Sequence, residues 1–280
     1  MRLRYAWMTV ALFLVSRSAL AQQRPLVTED PEPVGDGRVL IESGLDYAHD
    51  QQYPVTGLKG NLLRVPSIGL SVGLSSIAEL QIDGGVYSRL SIAQRGTGPL
   101  ASLVTATDST HDVDDLFIGT KIRLVGETPG RPAVALRFAT KLPNASNESG
   151  LGLDTTDFYA SLLGAKTIQS VRIVGNVGVG ILGDPTVGNR QNDVLTYSAS
   201  FARAMTQQAE LVGEISGRVS TRSGTPFPGT ESRGILKLGG RYTYGSVRLD
   251  AGVFFGLTTH DPTIGFTTGF TYVFTAFTVP

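Results

Sequence analysis

The chain has 280 residues, of which 34 are glycine and none cysteine; basic and acidic side chains number 24 each, and 17% of residues are charged. A formal net charge of zero gives no sign of nucleic acid or of a strongly basic partner. Without cysteine there is no disulfide framework, thiolate zinc site or cysteine nucleophile.

In chain order, Arg2 and Arg4 precede an apolar run over residues 6–15, and Ala19-Leu20-Ala21 precedes Gln22. That pattern predicts a cleavable secretory signal peptide, residues 1–21, whose apolar core is too short to span a membrane as a helix. Residues 22–37 are a Pro-rich N-terminal segment, expected to be periplasmic or to enter a lumen. From residue 38 onward, nine to thirteen residues of alternating apolar and polar side chains recur about twelve times, separated by breaks that are long and short by turns. Strands are predicted over residues 38–47, 62–74, 78–90, 115–125, 133–142, 156–166, 171–182, 194–205, 209–219, 232–243, 247–257 and 264–275.

Alternation decides the fold class. Over residues 171–182, Val171, Ile173, Val177, Val179 and Ile181 oppose Arg172, Asn176, Gly178 and Gly180; over 247–257, Val247, Leu249, Val253 and Phe255 oppose Arg248, Asp250, Gly252 and Gly256. One apolar face and one charged or glycine-rich face means two solvents, lipid outside and water inside. No apolar stretch long enough for a spanning helix remains after residue 21, and hydrocarbon admits strands only as a closed sheet. The expectation is an all-β, antiparallel up-and-down transmembrane barrel of about twelve strands in the outer membrane, residues 38–280, with lipid, lipopolysaccharide and the barrel-assembly machinery as its surroundings. Short turns such as Tyr244-Gly245-Ser246 and long polar loops over 91–114, 143–155 and 220–231 give it a periplasmic and an outer end.

By parity Arg64, Lys166 and Arg203 face lipid near strand ends, from which they can snorkel, and the outward aromatics Tyr47, Phe158, Tyr197, Tyr242, Phe266, Tyr272 and Phe274 also lie toward strand ends, as interfacial girdles should. The lumen receives Arg89, Lys121, Arg123, Arg137, Lys141, Arg172, Arg218, Arg233, Lys237, Arg241 and Arg248 with Glu42, Asp46, Glu79, Asp83, Asp157, Glu210, Glu214 and Asp250. Most of these should pair across strands, Arg241 with Asp250 for example, and hold the barrel open. A constriction would draw on a subset, with Lys121, Arg123, Arg137 and Lys141 as the leading candidates. The last strand reads as an assembly signal through Gly269, Tyr272 and Phe274. His49-Asp50, His111-Asp112 and His260-Asp261 are the candidates for near-neutral base chemistry on outer loops; their ordinary reading is polar loop composition, and neither a catalytic residue, a metal site nor a cofactor is assigned.

Arg24-Pro25-Leu26-Val27-Thr28-Glu29-Asp30-Pro31, Gly37, Glu42-Ser43-Gly44, Gly240-Arg241-Tyr242, Leu249-Asp250-Ala251-Gly252 and Gly265-Phe266-Thr267-Thr268-Gly269 together resemble the outer-membrane transporter family named for the MetA pathway of phenol degradation. The resemblance covers essentially the whole mature chain, departing at Pro143-Asn144-Ala145, where the family has Pro-Thr-Gly. It implies a barrel that passes small, in part aromatic, organic molecules and supplies no site residues. The expectation is a pore or facilitator for small solutes; a hydrolase with a site on the outer loops and a non-conducting structural or adhesin barrel are the alternatives.

Overall fold

The computed structural model describes residues 24–278; the expected signal peptide lies outside the described residues. One antiparallel sheet contains fourteen strands: β1 (Arg38–Tyr53), β2 (Leu58–Gly73), β3 (Ala78–Gly85), β4 (Ser88–Arg95), β5 (Ser109–Asp112), β6 (Leu116–Val125), β7 (Ala133–Leu142), β8 (Asp157–Ile168), β9 (Val171–Gly183), β10 (Gln191–Ala204), β11 (Ala209–Ser220), β12 (Arg233–Tyr244), β13 (Val247–Gly256) and β14 (Ile264–Thr275). Strands β3 and β4 both pair with β2 and lie end to end, and β6 and β5 continue one another beside them. Fourteen strands therefore make twelve staves, matching the twelve expected segments. The first strand pairs with both β2 and β14, in register from Arg38↔Thr275 to His49↔Ile264, and so closes the barrel.

Alternation sorts the side chains as expected over most of the circumference. Ile173, Val177 and Val179 of β9 and Leu249 and Val253 of β13 are exposed on the outside, where lipid would cover them. Outward aromatics stack across the seam and along the last strand: Tyr47 on Phe266 at 5.4 Å and Tyr272 on Phe274 at 5.5 Å between ring centroids. Several staves are longer than their alternation suggested, among them the β3–β4 stave, which reaches Arg95. Strands β1 and β2 run 16 residues each, and β5 lies inside what reads as the loop over 91–114.

Within β2 and the β3–β4 stave the alternation reverses, which corrects four assignments. Ser71 below Pro66 and Leu58 and Leu62 above it are all buried on the inner side, although odd and even numbers mark opposite faces of an unbroken strand. Pro66 has no N–H to donate to the ladder, and the neighbouring stave is interrupted at Val86 and Tyr87; the two breaks are bridged by Val65 N–H to Tyr87 O (2.8 Å) and Val86 N–H to Pro66 O (3.0 Å). A one-residue irregularity turns every later side chain to the other face. Leu62, of the same parity as Arg64, and Leu90, opposite in parity to Arg89, would face lipid in unbroken strands, yet they are 1% and 0% exposed within an internal cluster with Ala48, Leu58 and Val104. Arg64 turns inward to Asp114 (Nε to Oδ2, 3.2 Å) instead of snorkelling. Arg89, expected in the lumen, is exposed on the outside.

Because the chain lacks cysteine, single-cysteine variants report facing directly. In mild detergent, Arg89→Cys should react with a hydrophilic maleimide and Leu90→Cys should stay protected until the barrel is unfolded; the opposite pattern would restore uninterrupted alternation through this stave.

Candidate functional site in the barrel lumen

Residues 24–34 run inside the barrel, and almost every polar group along them meets an inward side chain. Arg24 donates from Nη1 to Ser67 Oγ (2.9 Å) and from Nη2 to Thr267 Oγ1 (2.8 Å), and its Nε lies 3.6 Å from Asp250. Gly44 and Gly269 face this guanidinium, and a Cβ at either position would overlap it. The Glu214 carboxylate accepts from the backbone N–H of Val27 (2.8 Å) and from the N–H and hydroxyl of Thr28 (2.6 Å each). Glu29 sits 3.0 Å from Arg137 and 3.5 Å from Lys121. Asp30 pairs with Arg172 and Glu32 with Arg123, and Glu79 accepts the Val34 N–H at 2.6 Å. Charge complementarity thus fixes the direction of the segment: its acidic run faces basic residues of β6, β7 and β9, and Arg24 faces acidic residues of β1 and β13. Pro25, Pro31 and Pro33 reduce the number of N–H groups that must find acceptors in this confined space.

Three of the four basic constriction candidates converge on that segment. Lys121 is fully buried, with its ammonium 2.9 Å from Glu79 and donating to Asp30 O at 2.7 Å. Arg123 holds Glu32, and Arg137 adds a bond to Gln81 Oε1 at 2.7 Å. Lys141 stands apart near the outer end, between Asp157 (2.9 Å) and Asp115 (3.3 Å). Arg241 and Asp250 are register partners, and both also meet Arg24: Arg241 Nε donates to Arg24 O at 2.8 Å. In β14, Gly269 faces inward against Arg24, while Tyr272 and Phe274 face out.

Above the segment, toward the long loops, lies a cavity of about 650 Å³ whose floor is Arg24 to Val27 with Glu29. Phe117, Tyr159, Phe254, Leu62, Leu163 and Ile235 give it apolar walls, interspersed with Ser161, Asn176, Thr196 and Ser198. Basic Arg64, Arg137, Arg233 and Lys237 and acidic Asp46 and Asp261 also line it. Its outer end abuts the cluster of Leu58, Leu62, Leu90 and Val104, against which Leu151 and Phe254 pack. Outer loops are tied over this mouth: Thr56 Oγ1 donates to Gly150 O (3.1 Å), Arg218 Nη2 to Gly229 O (2.7 Å), and Asn192 Nδ2 to Thr230 Oγ1 (2.9 Å). The inward aromatics were legible by parity, since Phe117, Tyr159 and Phe254 fall on otherwise polar faces; only the closed barrel shows that they surround one space.

The His-Asp pairs do not come together as one site. His49 and Asp50 adjoin the loop that carries His260, through Thr263 N–H to His49 O at 3.0 Å, whereas His111 lies on β5, separated from β1 by β2 and β4. Asp261 caps a turn, accepting from Gly234 N–H (2.9 Å) and the Thr258 hydroxyl (2.7 Å).

The sequence profile of the family described as "Putative MetA-pathway of phenol degradation" matches residues 23–274. The chain belongs to this family. A search of curated protein sequences finds no match. Among solved structures, the translocator domain of the autotransporter NalP from Neisseria meningitidis is similar at 12% identity and a TM-score of 0.47, covering 85% of this chain and 88% of that one. LpxR from Salmonella typhimurium is similar at 12% identity and 0.44, covering 84% and 99%. The Pseudomonas putida toluene transporter TodX is similar at 11% identity and 0.41, covering 89% and 92%. At such identities and scores these likenesses carry no argument about solute or chemistry.

Lys121 supplies the test of the lumen network. Its replacement leaves Glu79 and Glu29 buried beside one another, a loss worth about 3–5 kcal/mol when one member of a buried ion cluster is removed. Lys121→Met should therefore lower the temperature at which the barrel unfolds on heated gels, and Lys121→Met with Glu79→Leu should recover part of that loss. An unfolding temperature unaltered by the single change would show that the network contributes no stability.

Proposed function

We propose that this protein is an outer-membrane facilitator that passes small organic solutes, aromatic ones among them, through the lumen cavity above the N-terminal segment. The single observation that carries the reading is the cavity itself: about 650 Å³ inside a closed barrel, with the rings of Phe117, Tyr159 and Phe254 beside hydroxyl and amide groups. That volume suits one small molecule. Ring faces and scattered polar groups offer contact without a deep energy well, and a conduit needs binding strong enough for entry yet weak enough for release. The family description, which points to phenol degradation, supports an aromatic solute. Export through the signal peptide at residues 1–21 and recognition of the last strand through Gly269, Tyr272 and Phe274 by the assembly machinery belong to the same proposal.

The N-terminal segment forms the floor of the conduit and narrows it. Its seating is mainly electrostatic and hydrogen-bonded, with Val34 alone joining a small buried apolar cluster with Leu40 and Val273. Reconstituted in planar bilayers, the protein should carry an ionic current that benzamide interrupts in brief blockades. Tyr159→Ala with Phe254→Ala should shorten those blockades, and deletion of residues 24–34 should raise the unitary current. A folded protein that passes no current with or without residues 24–34 would overturn the reading.

A further inference from the structure

The lumen charges are not evenly compensated. Nine basic side chains inside the barrel, Lys121 and Arg137 among them, have a carboxylate oxygen no farther than 3.9 Å away. Arg233 and Lys237 on β12 line the cavity and have no such partner among the described residues. Arg233 makes one long bond, from Nη2 to Gln52 O at 3.4 Å. Lys237 donates to Pro25 O at 2.7 Å and lies 5.8 Å from the centre of the Phe254 ring. A guanidinium has five N–H donors and an ammonium three, so both retain free donors. Arg218, the register partner of Arg233, adds a third positive charge on the same wall.

The carboxylates nearest this wall form no ion pair with Arg233 or Lys237, and their hydrogen bonds go mainly to other groups, although Glu231 Oε2 is buried without a hydrogen-bond partner. Glu214 stands across from Lys237 in the ladder but accepts from Val27 and Thr28. Asp261 accepts from Gly234 and Thr258, and Glu231 Oε1 accepts the Gly229 N–H at 2.9 Å. Arg233 and Lys237 are four residues apart on one face of one strand, or about 13 Å along it, with Ile235 between them and Phe254 beside Lys237. Uncompensated charge in a confined lumen is costly. An anion offsets that cost, and the adjacent Ile235 side chain and Phe254 ring select one that also carries an apolar, flat body.

We infer that Arg233 and Lys237 form an anion-binding site on the β12 wall of the cavity and that the solutes it favours are small aromatic carboxylates. The inference rests on the facilitator reading for its route but not for its site. In detergent, calorimetry should show benzoate bound more tightly than benzamide, its neutral counterpart. Arg233→Gln with Lys237→Gln should weaken benzoate on the order of tenfold and leave benzamide unchanged, while Arg233→Lys with Lys237→Arg should retain the preference; heat-dependent gel mobility identifies the folded variants, and Lys237→Gln alone serves if the double change does not fold. Equal affinity for the two ligands in the natural protein, or undiminished benzoate binding in folded neutral variants, would overturn the site. Reversal potentials in a benzoate–chloride gradient at pH 8 separate the two readings: benzoate that binds in detergent but does not cross the bilayer supports the site and removes the facilitator.

Discussion

Every backbone N–H and C=O in a hydrocarbon layer must find its partner within the protein, because an unmade bond there costs several kcal/mol and no water can replace it. The ladder between β1 and β14 answers that requirement. Without it the sheet would have two open edges; with it the chain encloses a space, and every inward side chain then depends on what fills that space. The lumen network and the cavity are both consequences of that one pairing.

What fills the space is the chain's own N-terminal segment. The strands turn many charges of both signs inward, and cross-strand pairing alone could in principle neutralise them. Cross-strand pairs such as Lys121 with Glu79 exist, but Lys121, Arg123, Arg137 and Arg172 also meet Glu29, Asp30 and Glu32, while Asp250 receives Arg24. The segment therefore divides the lumen, with a tight ionic region on the short-turn side and an open, partly aromatic cavity on the long-loop side. It also leaves Arg233 and Lys237 facing that cavity without carboxylates of their own, so the same seating that stabilises the inner half sets the electrostatic character of the outer half.

The irregularity at Pro66 and Val86-Tyr87 completes the division. Reversing the alternation in two adjacent staves brings Leu58, Leu62 and Leu90 inside near the long-loop end, where a regular continuation would have placed them against lipid. Together with Val104 and Leu151 they give the cavity an apolar outer boundary, and Arg64 is carried inward with them to Asp114. A local failure of the strand pattern thus builds a wall of the candidate site.

Alternation along the chain was enough to specify the barrel, the number of its staves and the facing of most side chains, because a period of two with contrasting faces is what a closed sheet between lipid and water requires. Both halves of the lumen network were also visible in the residues, as the acidic run at Glu29-Asp30-Pro31-Glu32 and the basic residues of β6, β7 and β9. That the two halves meet was not: Arg24 contacts Thr267 across more than two hundred intervening residues, and nothing local encodes a contact of that separation. Likewise, Pro66 marks a place where alternation can break, but the choice between an outward Arg64 and an inward one depends on the matching break in the neighbouring stave. The cavity belongs wholly to the tertiary structure, since Phe117, Tyr159, Leu62 and Phe254 line one space only after closure has set the curvature and the N-terminal segment has taken the other half.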